Sequence, residues 1–339
     1  MNSRFLPLLA TAFLGLVAAT VSAAARPAMR EYDVLKQFPP SRLLVESPDP
    51  QGLTGTNRLH SMWIEAGPQR GSCRSVIYAV VHGDLAAADD AWRGIDKAFA
   101  HQLPDGRFEA NLRPNGKSAK PYGAAVETAF FFMQELGRAI LVIRQSPHEA
   151  HFKARIDALL PKIRKAMDFI NGGYETIIKE TSHAPNRIII GAKAFGLNGL
   201  VLGDEQLIQR SRQLMAHAIT LRDEDGVFVE NGGRDSSYNV VSVLFGQVLT
   251  LHVPMPEAEA AFAQAMKWQV SKVLPSGEVD VAGNSRTGVG KEKSYGGAPK
   301  NVNYTEVMQA LTLWGIVHGD QDALAAADRV EAYVKKNRP

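Results

Sequence analysis

Cysteine is almost missing from this sequence. The single Cys73 permits neither an internal disulfide nor a zinc site built on thiolates. An excess of one charge is missing as well: 38 Lys and Arg stand against 35 Asp and Glu, a formal charge of +3, too little to hold nucleic acid by bulk attraction. Beyond the first two dozen residues no apolar run reaches the length of a bilayer span. Alternating strand patterns are scarce, and His60, His148, His151, His217, His252 and His318 lack any metal-ligand spacing. No metal, cofactor or nucleic-acid partner is therefore expected.

What the chain does have is apolar bulk. Its 339 residues are 45% hydrophobic and 22% charged, a composition that can bury a sizeable core and excludes a disordered chain. Residues 1–24 read as an export leader: Arg4 gives the positive start, Phe5 to Val21 is almost wholly apolar, and Val21-Ser22-Ala23 offers small residues for cleavage. Residues 25–339 are then expected as a single catalytic domain, periplasmic or secreted and free of the membrane once the leader is removed.

Helical periodicity dominates beyond residue 70 and predicts helices near 73–82, 85–101, 124–146, 148–170, 185–202, 204–221, 235–252, 256–273, 302–317 and 321–335. Three helix reversals share a pattern: Val80-Val81-His82-Gly83-Asp84, Leu200-Val201-Leu202-Gly203-Asp204 and Ile316-Val317-His318-Gly319-Asp320. Glycine can end one helix in the left-handed conformation, and the following Asp can cap the next. The copies lie roughly 120 residues apart, which suits a helical hairpin of about 55–60 residues repeated along the chain. The fold class expected is all-α, an (α/α)n toroid with n of about 5–7.

The connections alternate in length. Turns near 83, 147, 203, 254 and 319 are short, whereas 102–123, 171–184, 222–234 and 274–301 are long. Because successive helices reverse direction, the long loops must all emerge at one end, the expected working face. Three of them carry a similar piece, Asp105-Gly106-Arg107-Phe108, Asp225-Gly226-Val227-Phe228 and Ser276-Gly277-Glu278-Val279, which suggests small β-hairpins on one rim.

Polar residues gather at the same face. Tyr122 and Glu127, His183 with Asn186 and Arg187, Arg234 with Asp235 and Tyr238, and Tyr304 surround the starts of four helices that begin there. Pro185 suits a helix first turn, and Asp235 or Ser236 can cap the helix carrying Tyr238. His183 and Tyr238, one hairpin apart, form a competent pair for moving protons. Taken singly, each has a plain structural reading, as a helix-end histidine and an anchored core tyrosine. Basic residues Arg107, Arg113, Lys117 and Lys120 in one loop, and Arg286, Lys291, Lys293 and Lys300 in another, would draw anions. Interleaved with Tyr122, Tyr295 and Tyr304, they fit an acidic sugar chain.

The segment Ser182-His183-Ala184-Pro185-Asn186-Arg187, followed by Asn231-Gly232-Gly233-Arg234-Asp235-Ser236-Ser237-Tyr238-Asn239, resembles the catalytic region of α/α-toroid polysaccharide lyases. It looks most like the glucuronan and alginate lyases of polysaccharide lyase family 38, and more distantly like the family 5 alginate lyases, which carry Asn where this chain has Ser182. The resemblance covers about residues 105–310. It implies β-elimination at a 4-linked uronate, glucuronan or mannuronate-rich alginate, with His183 and Tyr238 in the places of the catalytic pair and Arg234 as first candidate to neutralise the uronate carboxylate. Substrate contacts would come from Asn111, Arg113, Tyr122, Glu127, Asn186, Arg187, Asn231, Asn239, Lys293, Tyr295 and Tyr304. Either Tyr238 serves as base and then acid, or neutral His183 takes the C5 proton and Tyr238 protonates the leaving oxygen.

Two other functions remain open at this level. One is a glycoside hydrolase using a carboxylate pair such as Glu127 and Asp235. The other is a non-catalytic protein that binds acidic polysaccharide. In every case the partner expected is an acidic polysaccharide, met by a monomer.

Overall fold

A computed structural model describes residues 29–111, 122–293 and 298–337. The leader expected over residues 1–24 lies outside them. All ten helices expected from periodicity are present: α3 (Arg70–His82), α4 (Leu85–Ala100), α5 (Tyr122–Gln145), α6 (Glu149–Gly172), α8 (Pro185–Leu202), α9 (Glu205–Ile219), α10 (Ser236–His252), α11 (Pro256–Ser271), α12 (Tyr304–His318) and α13 (Gln321–Asn337). Three short helices were not legible in the pattern: α1 (Glu31–Leu35), α2 (Gly55–Leu59) and α7 (Tyr174–Thr181).

Two kinds of helix alternate, and burial separates them. Along α8, residues from Pro185 to Gly199 are buried on nearly every side, including Ile188, Ile189, Ile190, Phe195 and Leu197. Its hairpin partner α9 buries only a stripe, Leu207, Ser211, Leu214, Met215 and Ala218, at the three- and four-residue spacing of one helix face. Helices apolar all round must lie inside, so α3, α5, α8, α10 and α12 form an inner row, each packed on the next. Their partners α4, α6, α9, α11 and α13 lie outside, completing five hairpins of an all-α toroid. The gap between α12 and α3 is bridged by Gln309, whose amide donates to the Tyr78 hydroxyl at 3.0 Å. The N-terminal segment reinforces this closure, with Arg42 donating to Thr312 at 2.8 Å and to Glu331 at 2.9 Å.

The short reversals are built as their sequence suggests. Gly83, Gly203 and Gly319 all have positive φ, and the following Asp84, Asp204 and Asp320 accept first-turn N–H groups of the next helix. At the other end, bridges at Gln102–Phe108, Arg222–Phe228 and Val273–Val279 make the three small β-hairpins. Their tips need glycine for a second reason. A Cβ on Gly106 would lie 2.0 Å from the Lys165 carbonyl oxygen on α6, and one on Gly277 would lie 1.9 Å from that of Arg329 on α13. Each of these hairpins thus ties one outer helix to the next.

The lumen is charged. Glu135, fully buried, accepts from Lys193 at 3.0 Å and from Arg138 at 3.3 Å, while Arg138 also reaches Glu31 on α1 at 2.6 Å. Burial pushes the Glu135 carboxyl up, but Lys193, Arg138 and Arg74 outweigh it and hold it well below the usual carboxylate range. Burial also lowers Lys193, to about 8. No helix among the described residues is long and apolar enough to cross a membrane.

Candidate functional site

All long connections emerge where the inner helices begin, and one cluster of ionisable groups sits there. It starts with Asp235, whose side chain is fully buried. One carboxylate oxygen caps α10, accepting the N–H groups of Ser237 at 3.0 Å and Tyr238 at 3.1 Å. The other accepts the N–H groups of Arg286 at 3.0 Å and Thr287 at 2.7 Å. A single side chain therefore fixes the helix that carries Tyr238 and docks the 272–303 loop beside it. Asn284 repeats the tie, accepting the Ser236 N–H at 2.9 Å. With four N–H groups bound and no exposure, Asp235 cannot meet a substrate, so it does not form a hydrolase's carboxylate pair with Glu127.

The docked loop surrounds the Tyr238 phenol. Its hydroxyl donates to Glu292, whose oxygens lie 3.0 and 2.9 Å away, and accepts from the Lys300 ammonium. The Arg286 guanidinium lies 4.4 Å from the ring centroid and donates to Glu292 at 2.7 Å and to Glu230. Burial, with Glu292 and Glu230 adding to it against Arg286, pushes the phenol well above its ordinary range, so it rests protonated. Burial also tends to raise Glu292, but Lys300, the Tyr238 hydroxyl and Arg286 prevail and its carboxyl lies below the usual value. Glu230, only 2% exposed, goes the other way: burial outweighs Arg286 and Arg187 and raises it to about 7.

His183 joins this cluster through the backbone. Its carbonyl accepts the Asn231 N–H at 2.9 Å, and Asn231, at positive φ, donates its side-chain amide to Glu230 at 3.1 Å. The His183 ring is exposed and free of hydrogen bonds among the described residues. Arg187 meets Glu127 at 3.3 Å, continuing the alternation of charge from Glu127 through Arg187, Glu230, Arg286 and Glu292 to Lys300. The structure therefore brings His183, Asn231, Arg187, Glu127 and Tyr238 to one mouth.

Other expectations are revised. Arg234 is clamped by Asp223, at 2.5 Å, and Asp225, so its charge is already matched on the rim; Arg286 and Lys300 face the phenol instead. Asn239 is fully buried, accepting the Phe228 N–H and donating to Ala265 and Gln269, which makes it a tie between α10, α11 and a hairpin rather than a substrate contact. Tyr304 is 8% exposed and stacked on Tyr333 with ring centroids 5.4 Å apart, so its ring belongs to the α12–α13 core. Asn111 donates to the Trp63 carbonyl at 3.0 Å and pins the N-terminal segment. Asn186 is 5% exposed, with its side-chain oxygen buried and without a hydrogen-bond partner among the described residues. Lys293 is exposed on a small bridge to Pro299. Arg113 and Tyr295 lie outside the described residues, as does the side chain of Tyr122, which opens α5.

Glu230 and Glu292 are the members that sequence reasoning passed over. A carboxylate in a polar loop carries no local signal. Among the described residues no group of three or more His, Cys, Asp or Glu is placed to hold a metal ion.

No family model matches the chain, and no curated protein matches it in sequence. Among solved structures it is similar to the chondroitin AC lyase of Streptomyces coelicolor A3, determined in complex with chondroitin sulphate, with a TM-score of 0.50 and 12% identity. The match covers 91% of this chain and 42% of that one, so this chain spans less than half of the lyase's length. The fold of the helical part of a polysaccharide lyase is shared.

Proposed function

We propose that the protein is an exported polysaccharide lyase that cleaves a 4-linked polyuronate, glucuronan or mannuronate-rich alginate, by β-elimination, as the resemblance to family 38 implies. The observation that carries the reading is the Tyr238 hydroxyl held between the Lys300 ammonium and the Glu292 carboxylate, with His183 tied to the same cluster through its carbonyl and Asn231, in a toroid shared with a polysaccharide lyase.

The chemistry follows from the charges. A C5 proton beside a carboxylate is poorly acidic until that carboxylate is matched by a cation or donor. Lys300, with 38% of its side chain exposed, is the cation able to reach it, and Arg286 supports the same field. Tyr238 rests protonated and so enters as the acid. His183 removes the C5 proton, the C4–C5 double bond forms as the C4–O4 bond breaks, and the Tyr238 proton passes to O4. The phenolate left behind sits against Lys300 and Arg286, and exchange with water restores both groups. In glucuronate and mannuronate the C5 proton and O4 lie on the same face, which suits two groups at one mouth.

The test is ultraviolet absorbance of the new double bond on glucuronan, polymannuronate, polyguluronate and pectate. Tyr238→Phe should abolish turnover while polymer binding persists, and His183→Ala should be severe. Near wild-type elimination by the Phe variant would refute the assignment. Hydrolysis without unsaturation would replace the reaction class, and binding with no cleavage at any pH would leave a binding protein.

A further inference from the structure

A cavity of about 480 Å³ opens between the N-terminal segment and the first turns of α3 and α5. It meets the site described above through Glu127, which lines the cavity and pairs with Arg187. The elimination chemistry makes no use of it. Two guanidinium groups one helical turn apart, Arg70 and Arg74, contribute to its wall.

The two are not equivalent. Arg74 lies 3.5 Å from Glu135 and 3.7 Å from Glu306, so its charge is shared with two carboxylates. Arg70 has no carboxylate within 4.0 Å among the described residues; it donates to the Gly67 carbonyl at 3.0 Å, and its guanidinium lies 5.3 Å from the Phe131 ring centroid. Burial and the like charge of Arg74 lower it to about 10, and Glu306, Glu135 and Glu65 act too weakly to restore it. The acidic residues of the same wall do not fill the role: Glu127 pairs with Arg187, Glu65 acts on Arg70 more weakly than Glu306 or Glu135, and Glu46 is exposed. An arginine held at a cavity wall without an anion loses solvation and receives no ion pair in return. Its planar fork matches a carboxylate in two-point contact.

We propose that this cavity is a uronate subsite in which the unpaired edge of Arg70 takes the carboxylate of a sugar unit some way along the chain from the bond at Tyr238, with the apolar side of that sugar against Phe131. The identity of the ligand rests on the polyuronate reading, whereas the subsite itself does not depend on turnover. Arg70 is here a binding residue that sets a preference for long acidic chains.

Binding is measured by calorimetry on the Tyr238→Phe protein, with hexamannuronate and hexaglucuronate as probes and mannohexaose as the neutral control. Adding Arg70→Gln, which keeps a donor for the Gly67 carbonyl and removes the charge, should weaken the tighter hexauronate by about ten- to a hundredfold. The neutral hexaose should show no difference between the two proteins. Equal hexauronate affinity in a folded Arg70→Gln protein overturns the proposal, as does absence of hexauronate binding by the parent. The two readings fail separately: an Arg70-dependent binder that forms no unsaturated product sinks the lyase alone, and an active lyase indifferent to Arg70 sinks the subsite alone. If Arg70→Gln does not fold, modification of the wild-type arginines by phenylglyoxal decides, read by peptide mass. Protection of Arg70 by hexauronate supports the subsite, and its absence overturns it.

Discussion

Asp235 gives the sharpest test of how the site is built. Replacing it with Ala removes the charged acceptor of four backbone N–H groups: Ser237 and Tyr238 at the start of α10, and Arg286 and Thr287 in the loop. Loss of the cap alone costs about 0.5–2 kcal/mol. The two loop N–H groups, left without an acceptor, cost about 1–3 kcal/mol each. Relief of the cost of burying a carboxylate offsets part of this, so the net expected loss is about 3–4 kcal/mol. Asp235→Asn keeps one acceptor oxygen and should cost about half as much. With a urea slope near 3 kcal/mol/M, the Ala variant should unfold about 1 M earlier. The assay is urea unfolding followed by two probes, with their coincidence checked because the argument needs one transition. Activity should fall in the same order, wild type above Asn above Ala, since Arg286 and Tyr238 lose their common anchor. An Ala variant within about 0.5 kcal/mol of wild type, the scatter of ordinary surface substitutions, would refute the reasoning.

Three further outcomes follow from the same geometry. Arg234→Ala should leave the rate of product formation within about threefold, because Asp223 and Asp225 already match its charge, whereas Arg286→Ala should lower it by about a hundredfold or more; equal effects would reinstate Arg234 as the neutralising group. Asn239→Ala should cost about 2–3 kcal/mol in urea unfolding and leave the Michaelis constant unchanged, since its partners are Phe228, Ala265 and Gln269; a raised Michaelis constant with unchanged stability would return it to the substrate. Glu230, raised by burial to about 7, favours the folded state while protonated: its contribution is complete below the ordinary carboxylate value and is lost as pH rises to about 7. The stability of wild type relative to Glu230→Gln should therefore fall between about pH 4.5 and 7 by on the order of 2 kcal/mol, and a difference flat in pH would show that burial does not control this group.

The polymer panel is the direct measurement of the preferred uronate, and fractionation of the cells that make the protein is the direct measurement of export.

The sequence by itself determined the ten long helices, their pairing and the end at which the site would lie. These follow from local rules: apolar spacing along each helix, Gly-Asp at each sharp reversal, and alternation of direction, which puts every long loop on one side. The short α1, α2 and α7 escaped because five to eight residues carry too little periodicity. Tertiary structure alone decided which polar residues near the helix starts face solvent and which are spent inside. Asn239 follows Tyr238 directly, yet a helix turns about 100° per residue, so one points into the α10–α11 core and the other into the mouth. The sequence made Arg234 the first candidate to neutralise the carboxylate and Arg286 one of several loop cations; their roles changed only when Asp223 and Asp225 closed on the first and the Asp235 carboxylate docked the second over the phenol. A charge's part in chemistry depends on its nearest counter-charges, and these are set partly by how a loop folds back over 6 to 11 residues, as for Arg234 with Asp223 and for Arg286 with Glu292, and partly by packing across 56 residues, as for Arg286 with Glu230; no local pattern records either.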